Sequence, residues 1–331
     1  TNAQTKAVQP MDHALKCAMQ EQAKAAVLDG KWEQLRFLGN RFERAGCYAE
    51  AWNALAERVE KTSTQTLPIW PGPKAISNGV LVLPRSRDLG DELRILRYLG
   101  NLQVHTQRVT ALVDPRLAPL LERSFPGLVC TDPAQPPPLD GITHMAAQER
   151  LALWFGANAA QIKANFRPLI SKKEPQQKCR GIGISWFSRS KNKSFPSIED
   201  WSVLLQNVRQ PIRSLQYLEK PARIRQLQEL SGQRIQSSRP IDQLNDLDGF
   251  AEQVSQVRGV LTISNTTAHM AGVLGVPCVV ILDNGSITNW PNVGDQSPLY
   301  PHTRLVRRGN DPWVTTLKRG WAALKPMLQT R

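Results

Sequence analysis

The chain has 331 residues, of which 41% are hydrophobic and 21% charged: enough length for two or three domains, and the balance of a globular protein. No apolar stretch approaches the roughly 20 residues that cross a bilayer, and the opening T-N-A-Q-T-K lacks the apolar core of a secretory signal. A net charge of +14 calls for an anionic partner, whether nucleic acid, lipid headgroups or a phosphorylated substrate, unless it is only a solvated basic surface.

Thr1 stands where an initiating Met would, so further sequence upstream is expected. Cys17, Cys47, Cys130, Cys179 and Cys278 are scattered, with no C-x-x-C, which predicts reduced thiols in the cytoplasm rather than disulfides or a zinc site. Contact with a membrane would be peripheral at most, at its inner face. Zinc-finger spacing and an aromatic-basic RNA signature are both missing, which argues against nucleic acid.

Taken in chain order, residues 13–28 are rich in helix formers and end at Asp29-Gly30, a C-cap signal. Leu35, Leu38 and Phe42 then recur at helical spacing, Gly46 breaks the chain, and Tyr48, Ala51, Trp52 and Leu55 form a second stripe. Leu38-Gly39, Phe42, Gly46, Tyr48 and Ala51 resemble one tetratricopeptide repeat, with Leu35 in place of the usual Trp. A single repeat cannot bury its own face, so it packs on its neighbour or ends a longer array.

The Pro-rich hinge 67–74 closes this helical segment, 1–66. A strand at 79–84, a helix at 91–99, a strand at 108–113, a helix at 117–123 and a strand at 127–130 come next, the alternation of a doubly wound parallel sheet over 67–170. The polar linker 171–180 introduces a second series over 171–331. Its strands are expected at 181–187, 213–217, 260–264 and 278–282, its helices at 198–205, at 250–254, after Thr266 and at 313–328. Two such halves imply a cleft between them.

Ligands of open α/β sheets bind beyond the C-terminal ends of strands, where helix N-termini present free N–H groups. Three loops occupy such positions. In the first, P-R-S-R-D-L-G-D-E-L, Arg85, Arg87 and Asp91 lie between strand and helix; Asp91 would serve as a helix cap or as a general base. The second crowds Arg189, Lys191, Lys193 and Ser194 at a strand end, an anion site or a solvated basic loop, before a capping box at Ser197 to Asp200. In the third, I-S-N-T-T-A-H-M-A-G, an apolar run breaks at Asn265, Thr266 and Thr267 before His269. This is the layout of a phosphate cradle at a helix N-terminus. Asp246-Leu247-Asp248 matches the Asp-x-Asp of metal-dependent sugar transferases, but acidic capping of the next helix explains it more cheaply, so no metal is expected.

Together these loops resemble the heptosyltransferase-like branch (glycosyltransferase family 9) of the GT-B glycosyltransferases, in its tetratricopeptide-fused form, over residues 70 to about 310. L-G-D-E-L is similar to the segment opening the family's acceptor half, and there the Asp is the proposed base, matched by Asp91. S-R-S-K-N-K-S-F-P looks like the segment opening the donor half, whose basic residue, Lys191 or Lys193 here, contacts the donor phosphates. S-N-T-T-A-H-M-A-G-V-L-G-V-P is similar to the diphosphate site, with Ser264 where the family usually has Asp, and S-I-T-N-W-P, with Asn289 and Trp290, to its Trp-containing loop. The resemblance implies two Rossmann-like domains after a small helical segment. It also implies a metal-independent, inverting hexosyl or heptosyl transfer from a nucleotide-diphosphate sugar, with no cofactor. The acceptor would be a glycan, lipid-linked or protein hydroxyl, and a protein partner would dock on the helical repeat. Two alternatives keep the nucleotide sugar: a catalytically degenerate scaffold, and an epimerase of the same fold, which would need further acid/base groups; none is obvious, with His105 and His144 unassigned.

Overall fold

The computed structural model describes residues 11–75, 77–84, 89–172, 181–190, 193–284 and 290–329. The chain forms two compact units, Thr1–Arg167 with Asn289–Gly294, and Pro168–Thr288 with Asp295–Arg331. Among the described residues no helix is long and apolar enough to cross a membrane.

The first unit opens with three helices. α1 (His13–Leu28) starts where the Asp12 carboxylate accepts from the Leu15 N–H at 2.8 Å. α2 (Trp32–Arg44) and α3 (Tyr48–Thr62) bury the stripes anticipated from spacing: Leu35, Leu38 and Phe42 on one, Tyr48, Ala51, Trp52 and Leu55 on the other. They approach so closely at Gly39 that a Cβ there would lie 2.6 Å from Leu55. Residues 147–156 of the same unit are stitched to α3. The Trp52 indole donates to Gly156 O at 2.9 Å, and buried Glu60 accepts from Arg150 at 2.6 Å and from the Ala147 N–H at 3.1 Å.

Next come β1 (Ser77–Leu83), α4 (Leu89–Leu96), α5 (Leu99–Leu102), β2 (Thr106–Leu112), α6 (Ala118–Ser124), β3 (Leu128–Thr131), β4 (His144–Ala147), α7 (Gln148–Phe155) and α8 (Ala159–Ala164). The strands pair in parallel in the order β3-β2-β1-β4. The helix expected at 91–99 is two pieces, α4 and the single turn α5. β4 is not anticipated by the sequence because H-M-A-A has no β-branched or aromatic strand former to mark it.

The second unit runs β5 (Ile182–Ser185), α9 (Ile198–Leu205), β6 (Ile212–Ser214), α10 (Pro221–Ser231), β7 (Ile235–Gln236), α11 (Leu247–Ser255), β8 (Gly259–Ile263), α12 (Thr266–Val273), β9 (Cys278–Leu282), β10 (Thr303–Arg307) and α13 (Trp313–Met327). Its sheet is parallel throughout, in the order β10-β9-β8-β5-β6-β7. The chain winds outward from β5 through β6 and β7, then restarts at β8 on the other side, so β5 and β8 flank the topological switch point. The strands expected at 181–187 and 213–217 stop early, at Ser185 and Ser214, because the residues beyond them leave the ladder to form hydrogen-bonded turns.

Candidate functional site

The C-terminal ends of β5 and β8 are tied by one side chain. Asn265 caps α12, its Oδ1 accepting from the Thr267 N–H at 3.0 Å and from the Thr262 hydroxyl at 3.2 Å. Its Nδ2 reaches across the switch point, donating to Ser185 Oγ at 2.8 Å and Phe187 O at 3.2 Å. The polar break in the apolar run is therefore a buried clasp as well as a helix start.

A second clasp lies beside it. Gln216, 2% exposed, accepts on Oε1 from the Ser185 hydroxyl at 3.0 Å and from the N–H groups of Trp186 and Phe187, each at 2.8 Å. Its Nε2 donates to Tyr217 O at 2.8 Å and Phe187 O at 3.3 Å. Gln216 thus shapes the turn that launches the basic loop, and the Tyr217 hydroxyl extends the support by accepting from the Arg189 N–H at 2.7 Å. Neither residue stands out in the sequence, where both sit inside an expected strand; their polarity at a strand end is the available signal.

The expected donor-site residues divide by what they touch. Lys193 Nζ donates to the backbone carbonyl of Ser264 at 2.9 Å, which brings the basic loop onto the end of β8. Arg189 and Ser194 are exposed, and among the described residues their side chains make no hydrogen bond or ion pair. Thr266, the first residue of α12, is half-buried, and its hydroxyl likewise has no partner among the described residues. Thr267 is expected from the sequence to offer its hydroxyl to an anion. It is instead fully buried, donating to Leu215 O at 3.2 Å, and its N–H is taken by Asn265. Lys191 lies outside the described residues.

His269, 7% exposed, has Nδ1 3.0 Å from the hydroxyl of Tyr300, whose ring packs over Gly272. With that hydroxyl donating, the imidazole carries its proton on Nε2 and is a donor there. Sequence reasoning misses Tyr300, since nothing local marks a residue 31 positions away as the partner of His269.

On the β6 side, Glu219 gathers the hydroxyls of Ser237 and Ser238 and the Ser238 N–H. Burial works to raise its carboxyl, but hydrogen bonds from Ser214, Ser237 and Ser238 outweigh this and hold it below the usual carboxylate range. Asp246 caps α11, accepting from the Gly249 N–H at 2.7 Å, and no group of three His, Cys, Asp or Glu able to hold a metal occurs among the described residues.

In the first unit, Asp91 is the third residue of α4 and lies 3.2 Å from the guanidinium of Arg94, one turn on. Its carboxylate keeps 24% exposure while Arg94 has none. Arg85, Arg87 and Asn289 lie outside the described residues. Trp290, expected at the cleft, is 2% exposed in the Asn289–Gly294 segment, which returns to the first unit and donates from Asn292 N to Arg44 O at 2.7 Å. The two histidines considered for extra acid/base chemistry are both engaged locally. His144 Nδ1 contacts the hydroxyls of Thr143 and Ser77 at 2.9 and 3.2 Å, and His105 stacks on Phe155.

No protein-family profile matches the chain. A curated relative, Protein FlbA of Caulobacter vibrioides, is 25% identical over 281 residues, which are 74% of this chain and 46% of its own length. The chain thus spans about half the length of the curated relative it matches. Among solved structures, a glycosyl transferase family 9 protein from Veillonella parvula superposes with a TM-score of 0.51 at 11% identity, covering 77% of this chain and 99% of that one. The E. coli ADP-heptose lps heptosyltransferase II gives 0.51 at 13% identity, covering 76% and 99%. At such identities the likeness is one of fold, and that fold is GT-B: two Rossmann-like units with parallel sheets, here preceded by a helical segment.

Proposed function

We propose that the chain is a glycosyltransferase that moves a hexosyl or heptosyl group from a nucleotide-diphosphate sugar to an acceptor hydroxyl on a glycan, lipid or protein, with inversion and without a metal. One observation carries this reading. At the switch point of the second sheet, Lys193, exposed Arg189, the hydroxyl of Thr266 and the first turn of α12 converge on the ends of β5 and β8. Fixed positive groups and a helix N-terminus are what a departing diphosphate needs when no cation screens it.

In this reading the acceptor oxygen attacks the anomeric carbon and its proton passes to Asp91. The bond from that carbon to the diphosphate oxygen breaks, and the nucleoside diphosphate leaves with the electron pair. Arg189, Lys193 and the α12 N-terminus stabilise the charge growing on it, and His269 Nε2–H donates in the same direction. Asn265, Thr267 and Gln216 keep these groups in place without touching the donor. The fold shared with a family 9 glycosyltransferase and a heptosyltransferase supports the assignment, and the free thiols of Cys17, Cys47, Cys130 and Cys278, the described cysteines, favour a cytoplasmic setting.

The test is a thermal-shift titration with nucleoside diphosphates and nucleotide sugars, run beside DNA and RNA, with release of nucleoside diphosphate from the stabilising sugar then measured. Saturable stabilisation by one nucleotide and turnover of its sugar are expected. Binding without turnover would leave a nucleotide-sugar-binding scaffold, and stabilisation by nucleic acid alone would end the transferase reading.

A further inference from the structure

A second charged network lies within the first unit. Arg94 on α4 is wholly buried, and its two terminal nitrogens face two carboxylates. One nitrogen bonds Glu43 on α2, itself 1% exposed; the other lies 3.2 Å from Asp91. Glu43 belongs to the N-terminal helices, 51 residues before Arg94. A planar guanidinium pinned at one prong has little freedom at the other, so the orientation of Asp91 is referred back to α2.

Stability alone is a poor reason for such a network. Desolvating a charge pair costs about what the pairing returns, and apolar side chains of similar volume hold helices together as well. Orientation is a better one: Asp91 keeps a quarter of its surface open while one of its oxygens lies 3.2 Å from the buried Arg94 guanidinium. We propose that Glu43 and Arg94 are positioning residues for Asp91, so that the N-terminal helical segment is a working part of the transfer site and not only a place for partners to dock. The proposal rests on the reading of Asp91 as the base. Glu43 touches no substrate in it and acts only through Arg94.

The experiment compares Glu43→Gln, Arg94→Lys and Asp91→Asn in the full chain, using the nucleotide sugar that stabilises the wild type in the thermal-shift titration. The readouts are kcat and donor KM for nucleoside diphosphate release, with water as acceptor if no other is in hand. Glu43→Gln and Arg94→Lys are expected to lower kcat about tenfold or more and leave donor KM within about twofold, because a tilted base loses reaction geometry and not donor contacts. Arg94→Lys keeps the buried charge but lacks the fork, so it carries the test if Glu43→Gln fails to give a cooperative melt. Wild-type kcat in either folded variant, with Asp91→Asn inactive, overturns the positioning role and leaves the base standing. Wild-type turnover in Asp91→Asn overturns the base assignment itself.

Discussion

Lys193 reaches from the loop after β5 to the backbone carbonyl of Ser264 at the end of β8, 2.9 Å away. Because the acceptor is a carbonyl, the contact does not depend on which side chain stands at 264. A serine there, where the resembling family usually has aspartate, leaves this anchor of the basic loop intact. Ser264→Ala should therefore change nucleoside diphosphate affinity by no more than about twofold, whereas Lys193→Met should weaken it about tenfold or more. Isothermal titration of both variants checks this; equal losses would mean that the serine side chain is itself the anchor.

Gln216 satisfies three donors and two acceptors around the turn after β5. Gln216→Ala would strand several of these in a buried place, for a loss of about 3 kcal/mol in urea unfolding. Nucleoside diphosphate affinity should fall with it, since the turn launches the basic loop.

A Cβ on Gly272 would come within 2.5 Å of the Tyr300 ring. Gly272→Ala should cost about 1–3 kcal/mol and displace Tyr300 from His269. Tyr300→Phe removes only the buried hydroxyl that meets His269 Nδ1 and leaves the ring in place: it should cost about 1–2 kcal/mol and reduce turnover of the nucleotide sugar.

The Glu219 carboxyl is held below its ordinary value by hydrogen bonds from Ser214, Ser237 and Ser238 that outweigh its burial. A folded-state value below the unfolded one, near 4.3, contributes stability above that pH and loses it as pH falls through the folded value. Glu219→Gln should thus be less stable than the parent at pH 7, with the gap closing below about pH 4. Paired urea titrations at several pH values test the sign.

Cys17 is exposed, while burial pushes the Cys130 thiol up to about 12 and raises Cys278 as well. Labelling with a thiol reagent at about pH 8 should modify Cys17 first, the half-buried Cys130 more slowly, and Cys278 only on unfolding. Mass mapping of the labelled peptides gives the order.

Much of the fold is local, and it is legible on that account. The stripes of α2 and α3, the capping box before α9, the apolar runs of β1, β8 and β9 and the break at Asn265 all come from spacing within a few residues. β4, β7 and β10 are not legible: H-M-A-A has no β-branched residue, I-Q is two residues, and T-R-L-V-R lacks the unbroken apolar run of β8 and β9, so these are strands by pairing with a neighbour.

By itself, the sequence determined the alternation of strand and helix and the polar break that starts α12. Tertiary structure alone decided what each group does. Thr267 turns to Leu215, Gln216 serves residues 185–187, Tyr300 meets His269, and Arg94 pairs with Glu43 beside Asp91. Most of these partners lie roughly 30 to 50 residues apart, where no periodicity reaches. A buried hydrogen-bonding group must be satisfied by whatever the fold brings beside it, and that choice is made only when the sheets assemble.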